Sequence, residues 1–418
     1  MIPDRPVRTL FAADDVSAEL RRLAGQQQAD GGWQHRAGVS SPGSGTEHLR
    51  EECRCGPLRS SHRHHPMVDA EGVKEFGMTG LAAADETVPA AGARGVEPRW
   101  EQHRVELTGY CYRMLGSAAD AEDAVQDTLV RAWRGYDGFE GRSALRSWLY
   151  RIATNVCLTM LDGRNRRARP MDFGPSSTAT TPLGPPLPEA TWIQPIPDTR
   201  VLPSGGDPAE LAVSRESIRL AFVAALQHLP ARQRAVLILR EVLQWKASEV
   251  AELLDTTVAS VNSALQRARA TLAAHNLDSS APIDEVDRAH RELLNRYAEA
   301  FERYDIEALV ALLHEDAVLS MPPYDLWLRG PADIRHWWVG PGAGCRGSRL
   351  VPLSANGLPA FGQYKPSPDG GFTPFAVQVL EISGGLITGF NAFLDTEALF
   401  PMFGLPPRLD ASDTAIQR

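Results

Sequence analysis

Apolar residues recur at helical spacing in three successive segments of residues 229–273, and this pattern predicts a helix-turn-helix. In the third segment they lie three and four residues apart, which places them on one face of a helix. Only residues 255–257 separate the second segment from the third, a break typical of this motif. We expect the hydroxyls of Ser248 and Thr257 to cap the second and third helices. The apolar positions of the third helix are Val258, Val261, Leu265, Ala268 and Leu272.

The opposite face of the third helix carries short polar and basic residues that suit the major groove of DNA. Residues 256–276 contain no acidic residue. Short polar side chains near the start of such a helix suit base edges, and arginines suit phosphates or guanine. A helical pair with a merely solvated polar face is the alternative. The candidate DNA-contacting residues here are Ser260, Asn262, Ser263, Arg267 and Arg269.

A second helical block, residues 100–169, has an uneven charge. Its acidic helix, 119–135, is amphipathic, and we expect Trp133 to face the core. A glycine-broken loop follows, and residues 140–169 then carry a net charge of +5. Exposed arginines beside aromatic residues suit single-stranded or melted DNA, whereas a solvated basic face over core aromatics is the alternative. The candidates are Phe139, Arg146, Arg151, Asn155, Arg164, Arg166 and Arg167.

The C-terminal part, residues 282–408, predicts an α+β domain. An amphipathic helix at 286–304 and two shorter helical pieces are followed by a run of strand-like segments. Helices followed by such a run fit a curved sheet wrapped by helices, and such a cone encloses a pocket. Catalysis, ligand sensing and a packing or regulatory role all remain open for this domain. The candidate pocket residues are Tyr324, Trp327, His336 and Asp395.

Composition narrows the range of partners. The chain has 418 residues and a formal net charge of −9, so it is not a general binder of polyanions. Residues 284–418 carry a net charge of −7, which argues against DNA contact by the C-terminal part. The start of the chain lacks the apolar stretch of a signal peptide, and no run approaches the roughly 18 apolar residues that span a bilayer. We therefore expect a cytoplasmic protein without membrane contact.

The first 97 residues are poorly patterned and rich in Gly, Ser, Arg, His and Glu, which predicts disorder. Cys53 and Cys55, followed by three histidines, do not have the spacing of zinc ligands. The cysteine total of five is odd and does not suggest a disulfide framework. No metal or other cofactor is predicted.

Two of these motifs together resemble a known family. The run AEDAVQDTLVRAWRGYDGFEGRSALRSWLYRIATNVCLTML resembles region 2 of the extracytoplasmic-function (ECF) sigma factors of bacterial RNA polymerase, and the helix-turn-helix resembles their region 4. Between them lies a Pro-rich linker that contains TWIQPIPD, and a further domain follows. This order is similar to the actinobacterial sigma-G-like group, which carries a SnoaL-like domain of the nuclear-transport-factor-2 (NTF2) type.

The resemblance implies a multidomain fold with two all-α domains and a C-terminal α+β NTF2-like cone. It implies that the acidic helix docks on core RNA polymerase, that residues 137–164 melt and read the −10 element, and that residues 258–272 read the −35 element of promoter DNA. The polymerase-binding candidates are Glu122, Asp123, Asp127 and Arg131. The expected divisions are a disordered extension at 1–97, region 2 at 98–169, the linker at 170–207, region 4 at 208–276 and the NTF2-like domain at 282–408.

The implied function is that of a sigma factor without catalytic activity, which directs transcription initiation under regulation by its C-terminal domain. A DNA-binding regulator fused to a SnoaL-like small-molecule enzyme or sensor is the main alternative. A simple helix-turn-helix factor is less favoured, because it leaves residues 119–169 without a purpose. An anti-sigma factor and a small-molecule ligand stay open as further partners. Asp255 stands where the family often has glycine, and aspartate tolerates the left-handed conformation.

Overall fold

The computed structural model describes residues 100–136, 139, 144–205, 207–274 and 288–410. The predictions of disorder and of no zinc site in the first 97 residues lie outside this part of the chain. Within it, no cluster of three or more His, Cys, Asp or Glu residues could hold a metal ion. No helix in these ranges is long and apolar enough to cross a membrane.

Three helices form the N-terminal helical domain, residues 100–169. The first ends at Gly116, whose φ of 69° is left-handed, and the next begins where the Ser117 hydroxyl accepts a hydrogen bond from the Asp120 N–H at 3.1 Å. The expectation that Trp133 faces inward is wrong, because its side chain is 69% exposed. The buried stripe passes through Ala132, and the next residue lies about 100° around the helix. The helices are α1 (Arg104–Leu115), α2 (Ala118–Gly135) and α3 (Leu145–Leu161).

The linker, residues 170–207, lies against the C-terminal domain. The Ser177 N–H donates to the Trp327 carbonyl and the Leu187 N–H to the Pro323 carbonyl, each at 2.8 Å. Ala179, between them, is only 2% exposed and belongs to the core of the C-terminal domain. The linker contains two 3-10 turns, Pro170–Asp172 and Glu189–Thr191, and the short helix α4 (Asp198–Val201).

The helix-turn-helix domain, residues 208–274, confirms the predicted motif. The Thr257 hydroxyl caps the recognition helix by accepting from the Ser260 N–H at 3.1 Å, and Asp255 has the expected left-handed φ of 50°. The predicted cap at Ser248 is wrong, because the helix already begins at Ala247 and its capping residue is Lys246. The helices are α5 (Pro208–Glu216), α6 (Leu220–Gln227), α7 (Ala231–Leu237), a π-helical turn (Ile238–Val242), α8 (Ala247–Leu253) and α9 (Val258–Ala274).

The C-terminal domain confirms the predicted α+β fold class. Its six strands form one sheet in the order β2-β1-β6-β5-β4-β3, in which only β1 and β6 run parallel. The helices are α10 (Arg288–Arg303), α11 (Ile306–Val310), α12 (Pro331–Val339) and α13 (Thr396–Met402), with a 3-10 turn at Pro341–Cys345. The strands are β1 (Leu313–Ser320), β2 (Trp327–Arg329), β3 (Arg349–Ala355), β4 (Leu358–Pro366), β5 (Phe372–Ser383) and β6 (Leu386–Phe393).

Two hydrophobic cores hold the described chain together. One fills the interior of the C-terminal domain, where Tyr297, Phe301 and Phe390 pack among other aromatic rings. The other runs without a break from the N-terminal helical domain through the linker and the helix-turn-helix domain to one face of the C-terminal sheet. Because three domains bury apolar surface in this shared core, that burial favours their packed arrangement.

Candidate nucleic-acid interface

The recognition helix α9 presents an open polar face. Its apolar residues Val261, Leu265, Ala268 and Leu272 are buried against the domain, as the spacing predicts. The candidates on the other face are exposed, and one of them, Arg269, forms an ion pair with Glu241 at 2.6 Å. The exposed candidates are Ser260, Asn262, Ser263, Arg267 and Arg269.

The candidate arginines of α3 have partners within the protein. The Arg146 Nε lies 2.8 Å from a Glu106 carboxylate oxygen, and the guanidinium lies over the rings of Tyr150 and Trp245, 5.1 and 5.4 Å from their centroids. Burial alone would lower the pKa of Arg146, but Tyr150 and Glu106 together raise it, so the group stays charged. This cation is therefore held by contacts that single-stranded DNA would have to replace.

Arg151 joins the N-terminal helical domain to the helix-turn-helix. Its Nη2 donates to the Glu252 carbonyl at 2.8 Å and its Nε to the Leu253 carbonyl at 3.4 Å. These carbonyls end α8, where the helix dipole favours a cation. The ring of Tyr150 on the same helix lies 5.1 Å from that of Trp245. Helix α3, with its −10 candidates, therefore packs directly against α8 and Trp245 of the helix-turn-helix domain, whereas the candidate face of α9 stays open.

The arginines after α3 bind the linker and neighbouring helices. Arg164 and Arg167 both pair with Asp120, at 3.0 and 2.8 Å. Arg167 is buried and also donates to the carbonyl of Trp192 at 2.8 Å. Arg166 contacts the ring of His228. These contacts give the three arginines a structural role, and their DNA contacts stay predictions.

Two further candidates of this block are not arginines. Asn155 is exposed on α3. The ring of Phe139 packs between Tyr136 and Trp148, with centroids 6.2 and 4.8 Å away. A base that stacks on Phe139 would compete with these neighbouring rings.

The acidic helix α2 exposes a mixed charged and apolar surface. Asp123 is exposed, and Asp127 pairs with Arg131 at 2.8 Å. Glu122 forms an ion pair with Arg200 of the linker helix α4. Trp133 of the same helix is 69% exposed, which the sequence pattern did not predict. The signal for it was the unbroken stripe of small residues at 121, 124, 128 and 132, which is narrow enough to bury without the indole.

The four candidate pocket residues do not form an acid–base site. His336 is exposed on α12, and Asp395 caps α13 by accepting from the Ala398 N–H at 3.3 Å. Trp327 donates through Nε1 to the Gly174 carbonyl at 3.0 Å, and Tyr324 is half-buried. Among these four described residues, no hydrogen bond joins any two.

The polar groups inside the C-terminal domain bind one another. The Tyr297 hydroxyl donates to Gln378 at 2.6 Å, Gln378 to Gln363 at 2.7 Å, and Gln363 to the Ser348 hydroxyl at 3.0 Å. Burial raises the pKa of Tyr297 well above its usual value, so the phenol remains neutral. This series of hydrogen bonds, packed among aromatic rings, is a core network whose polar groups all have partners.

Comparisons with known proteins agree with the order of these domains. Family models match for "Sigma-70 region 2" at residues 100–167, "Sigma-70, region 4" at 219–272 and "SnoaL-like domain" at 294–389. The "ECF RNA polymerase sigma factor SigG" of Mycobacterium tuberculosis is 44% identical over 358 residues, which are 84% of this chain and 93% of that protein.

Two further similarities concern another protein of that species. The "ECF RNA polymerase sigma factor SigJ" is 30% identical over 222 residues, which are 53% of this chain and 63% of that protein. The crystal structure of Mycobacterium tuberculosis SigJ aligns with a TM-score of 0.49 at 20% identity, over 74% of this chain and 100% of that one.

Proposed function

Because this chain belongs to the ECF family of RNA polymerase sigma factors, we propose that it binds core RNA polymerase and directs transcription initiation at promoters that it recognises. The observation that carries this proposal is the 44% identity to a sigma factor over 93% of that relative's length. The N-terminal helical domain then serves as region 2 and the helix-turn-helix domain as region 4. Work on polymerase takes place in the cytoplasm, and the chemistry of RNA synthesis belongs to the polymerase.

The polymerase contact is proposed for the outer face of α2, with Glu122, Asp123, Asp127 and Arg131. The exposed ring of Trp133 lies on the same helix, and large aromatic residues are enriched at the centres of protein interfaces. Asp123 is exposed and the Asp127 side chain is 44% exposed, so reversing both to lysine removes the Asp127–Arg131 ion pair but should leave the helix folded. The double variant Asp123→Lys/Asp127→Lys should bind core polymerase more weakly.

A pull-down titration with core polymerase tests this contact, and run-off transcription on genomic fragments tests the function as a whole. The matched control is Glu315→Lys/Asp316→Lys, which reverses two exposed acids of the C-terminal domain. Equal affinity of the α2 variant and wild type would contradict the contact. Failure of the wild type to bind core polymerase would contradict the function itself.

The C-terminal domain is proposed to regulate rather than to catalyse. Its buried polar groups satisfy one another, and the candidate Asp395 serves as a helix cap. One face of its sheet shares a core with the two sigma regions, so it contributes directly to their arrangement. No DNA contact is proposed for it, because its net charge of −7 over residues 284–418 repels phosphates.

A further inference from the structure

The turn between β3 and β4 is buried, although hairpin turns usually lie in solvent. Asn356 and Gly357 form this turn with φ values of 56° and 70°, the left-handed pair that a tight Asn-Gly hairpin requires. Asn356 is fully buried. The turn leaves the sheet of the C-terminal domain and ends between the other two domains and the linker.

The side chain of Asn356 uses its whole amide to join three parts of the chain. Its Nδ2 donates to the Tyr112 hydroxyl in region 2 at 2.6 Å and to the Ile218 carbonyl in region 4 at 2.7 Å. Its Oδ1 accepts from the Ile196 N–H of the linker at 3.0 Å, and its own N–H donates to the Ile196 carbonyl at 3.1 Å. These partners are buried, so each would lack a hydrogen bond if the amide were removed.

Gly357 fits the same site for two reasons. Its N–H donates to the Asp198 carboxylate of the linker helix at 2.7 Å. A Cβ atom at this position would lie 2.9 Å from the Arg215 carbonyl oxygen and 3.2 Å from the Arg215 Cβ. A larger residue would therefore be pushed away from region 4 as well as strained by the left-handed backbone.

The packed arrangement that this turn joins cannot serve a whole promoter. The −10 and −35 elements lie about 25 base pairs apart, which is about 85 Å of duplex at 3.4 Å per base pair. Region 2 and region 4 are instead in direct contact, through Arg151 with Glu252 and through Tyr150 with Trp245. The two regions must move apart before each can reach its own element.

We propose that the Asn356–Gly357 turn is a latch that holds region 2 and region 4 together, and that its withdrawal frees region 4 to reach the −35 element. The same amide group binds Tyr112 on one side and Ile218 on the other, so the two regions cannot separate while both bonds stand. The latch rests on the proposed function, since it regulates the two promoter-reading regions of a sigma factor.

The test places a donor and an acceptor fluorophore on the full chain at the exposed residues Arg134 of α2 and Ala273 of α9, through non-natural amino acids. Energy transfer in the free protein then reports the separation of the two regions. Gly357→Ala should lower the transfer, with a rise of roughly tenfold or more in the ratio of open to packed molecules, because several buried groups lose their partners. Gly385→Ala is the matched control, since Gly385 has a similar φ of 76° but no heavy atom within 4 Å of its added Cβ.

A second variant guards against misfolding of the first. Asn356→Gly removes the amide without adding strain, because glycine adopts the left-handed φ of 56° freely, and its circular dichroism should match that of the control. Open molecules in both latch variants, beside packed wild type and control, would support the latch. Unchanged energy transfer in Asn356→Gly and Gly357→Ala would overturn it. Because the free protein is measured, that result is distinct from a failure of wild type to bind core polymerase, which would overturn the proposed function.

Discussion

The two helices that are proposed to read DNA, α3 and α9, have very different surroundings within the same molecule. The candidate residues on α9 face solvent. Arg269 pairs with Glu241, and the Ser260 hydroxyl accepts a hydrogen bond from the Thr257 hydroxyl at 3.2 Å. On and after α3, five candidate arginines bind carboxylates, carbonyls or rings of the same chain. The proposed −35 helix is therefore open to DNA in the packed state, whereas the arginines of the proposed −10 helix already bind protein groups, although Arg151, Arg164 and Arg166 remain exposed.

This difference suggests an order of events on DNA. A duplex can meet α9 without any rearrangement of the chain. Single-stranded DNA has to displace protein partners from Arg146 and Arg151 before it can use them, and one of those partners is region 4 itself. Opening the packed state therefore matters more for strand melting than for the first duplex contact.

The largest expected effect concerns the exposed face of α9. Replacing Arg267 with alanine should weaken duplex binding by about 1–3 kcal/mol if the guanidinium contacts a guanine. If it contacts a phosphate, affinity should fall evenly across sequences. The slope of the logarithm of affinity against the logarithm of salt concentration should then shrink by about one unit. Fluorescence anisotropy on duplexes selected by the wild type from a random library measures both.

The control for this prediction is Arg303→Ala, which removes an exposed arginine from the acidic C-terminal domain. That variant should bind duplex like wild type. An Arg267→Ala variant with unchanged affinity and salt slope would mean that the face of α9 is merely solvated.

The next effect concerns the arginines of α3 that bind protein groups. Trp245→Leu removes the ring that packs on Tyr150 and Arg146, and such aromatic pairs contribute about 0.5–1.5 kcal/mol. Binding of a mixed-sequence single strand should rise by up to about tenfold, as measured by anisotropy at fixed salt. The matched control is Trp192→Leu: both indoles are buried, and neither N–H has a partner in the described chain. Equal single-strand affinity of Trp245→Leu and Trp192→Leu would contradict the idea that the contacts of Trp245 hinder single-strand binding at α3.

If the turn is a latch, the separation of region 2 and region 4 should depend on pH. Burial raises the pKa of Asp198 to about 6 from 3.8, against the opposing effects of the Gly357 N–H and of Arg215. When the turn withdraws, the carboxyl regains its ordinary pKa, so protonation favours the packed state. This stabilisation is complete below pH 3.8 and is lost as the pH rises through about 6.

The fluorophore pair measures this effect directly. The ratio of open to packed molecules should rise by about fourfold between pH 5.5 and pH 7. Asp198→Asn keeps an acceptor for the Gly357 N–H but cannot titrate, so its ratio should not depend on pH in this window. A wild type that shows no more pH dependence than Asp198→Asn would contradict the role of this carboxyl.

The smallest effect comes from the ion pair of Arg146. Glu106→Gln removes the charged partner of an arginine that is partly exposed, and such pairs contribute about 0.2–1 kcal/mol. Single-strand binding at low salt should rise by about twofold, near the middle of that range, and the gain should vanish at high salt. Glu101→Gln, which releases the exposed Arg104 instead, is the control. A gain of the same size in the control would assign the effect to net charge alone.

The sequence predicts the local part of this molecule well. The spacing of Val261, Leu265 and Ala268 predicts the buried face of α9, because a helix repeats over a few residues. The run of strand-like segments likewise predicts the α+β class of the C-terminal domain. Two local predictions are wrong. Trp133 is exposed, since the small residues on its helix form a sufficient buried stripe without it, and Lys246 rather than Ser248 caps α8.

The contacts between region 2 and the other domains cannot be predicted from such local patterns. Arg151 binds carbonyls about a hundred residues away, and Asn356 binds Tyr112 at a separation of 244 residues. Side-chain spacing carries no information on such distant pairing. The Asn-Gly pair between two strand-like runs does predict a hairpin turn, but not that the turn is buried between domains.

The buried position of Ala179 bears on how far the two sigma regions can travel. Fully extended, residues 170–207 would span roughly 130 Å, more than the distance between promoter elements. While Ala179 and its neighbours Ser177 and Leu187 remain bound, much of that contour length is unavailable, because the chain is tethered midway to the C-terminal domain. The distance that region 4 can move from region 2 then depends on where the linker is bound to the C-terminal domain. Shortening residues 180–186 should reduce that distance only after Ala179 has left the C-terminal core.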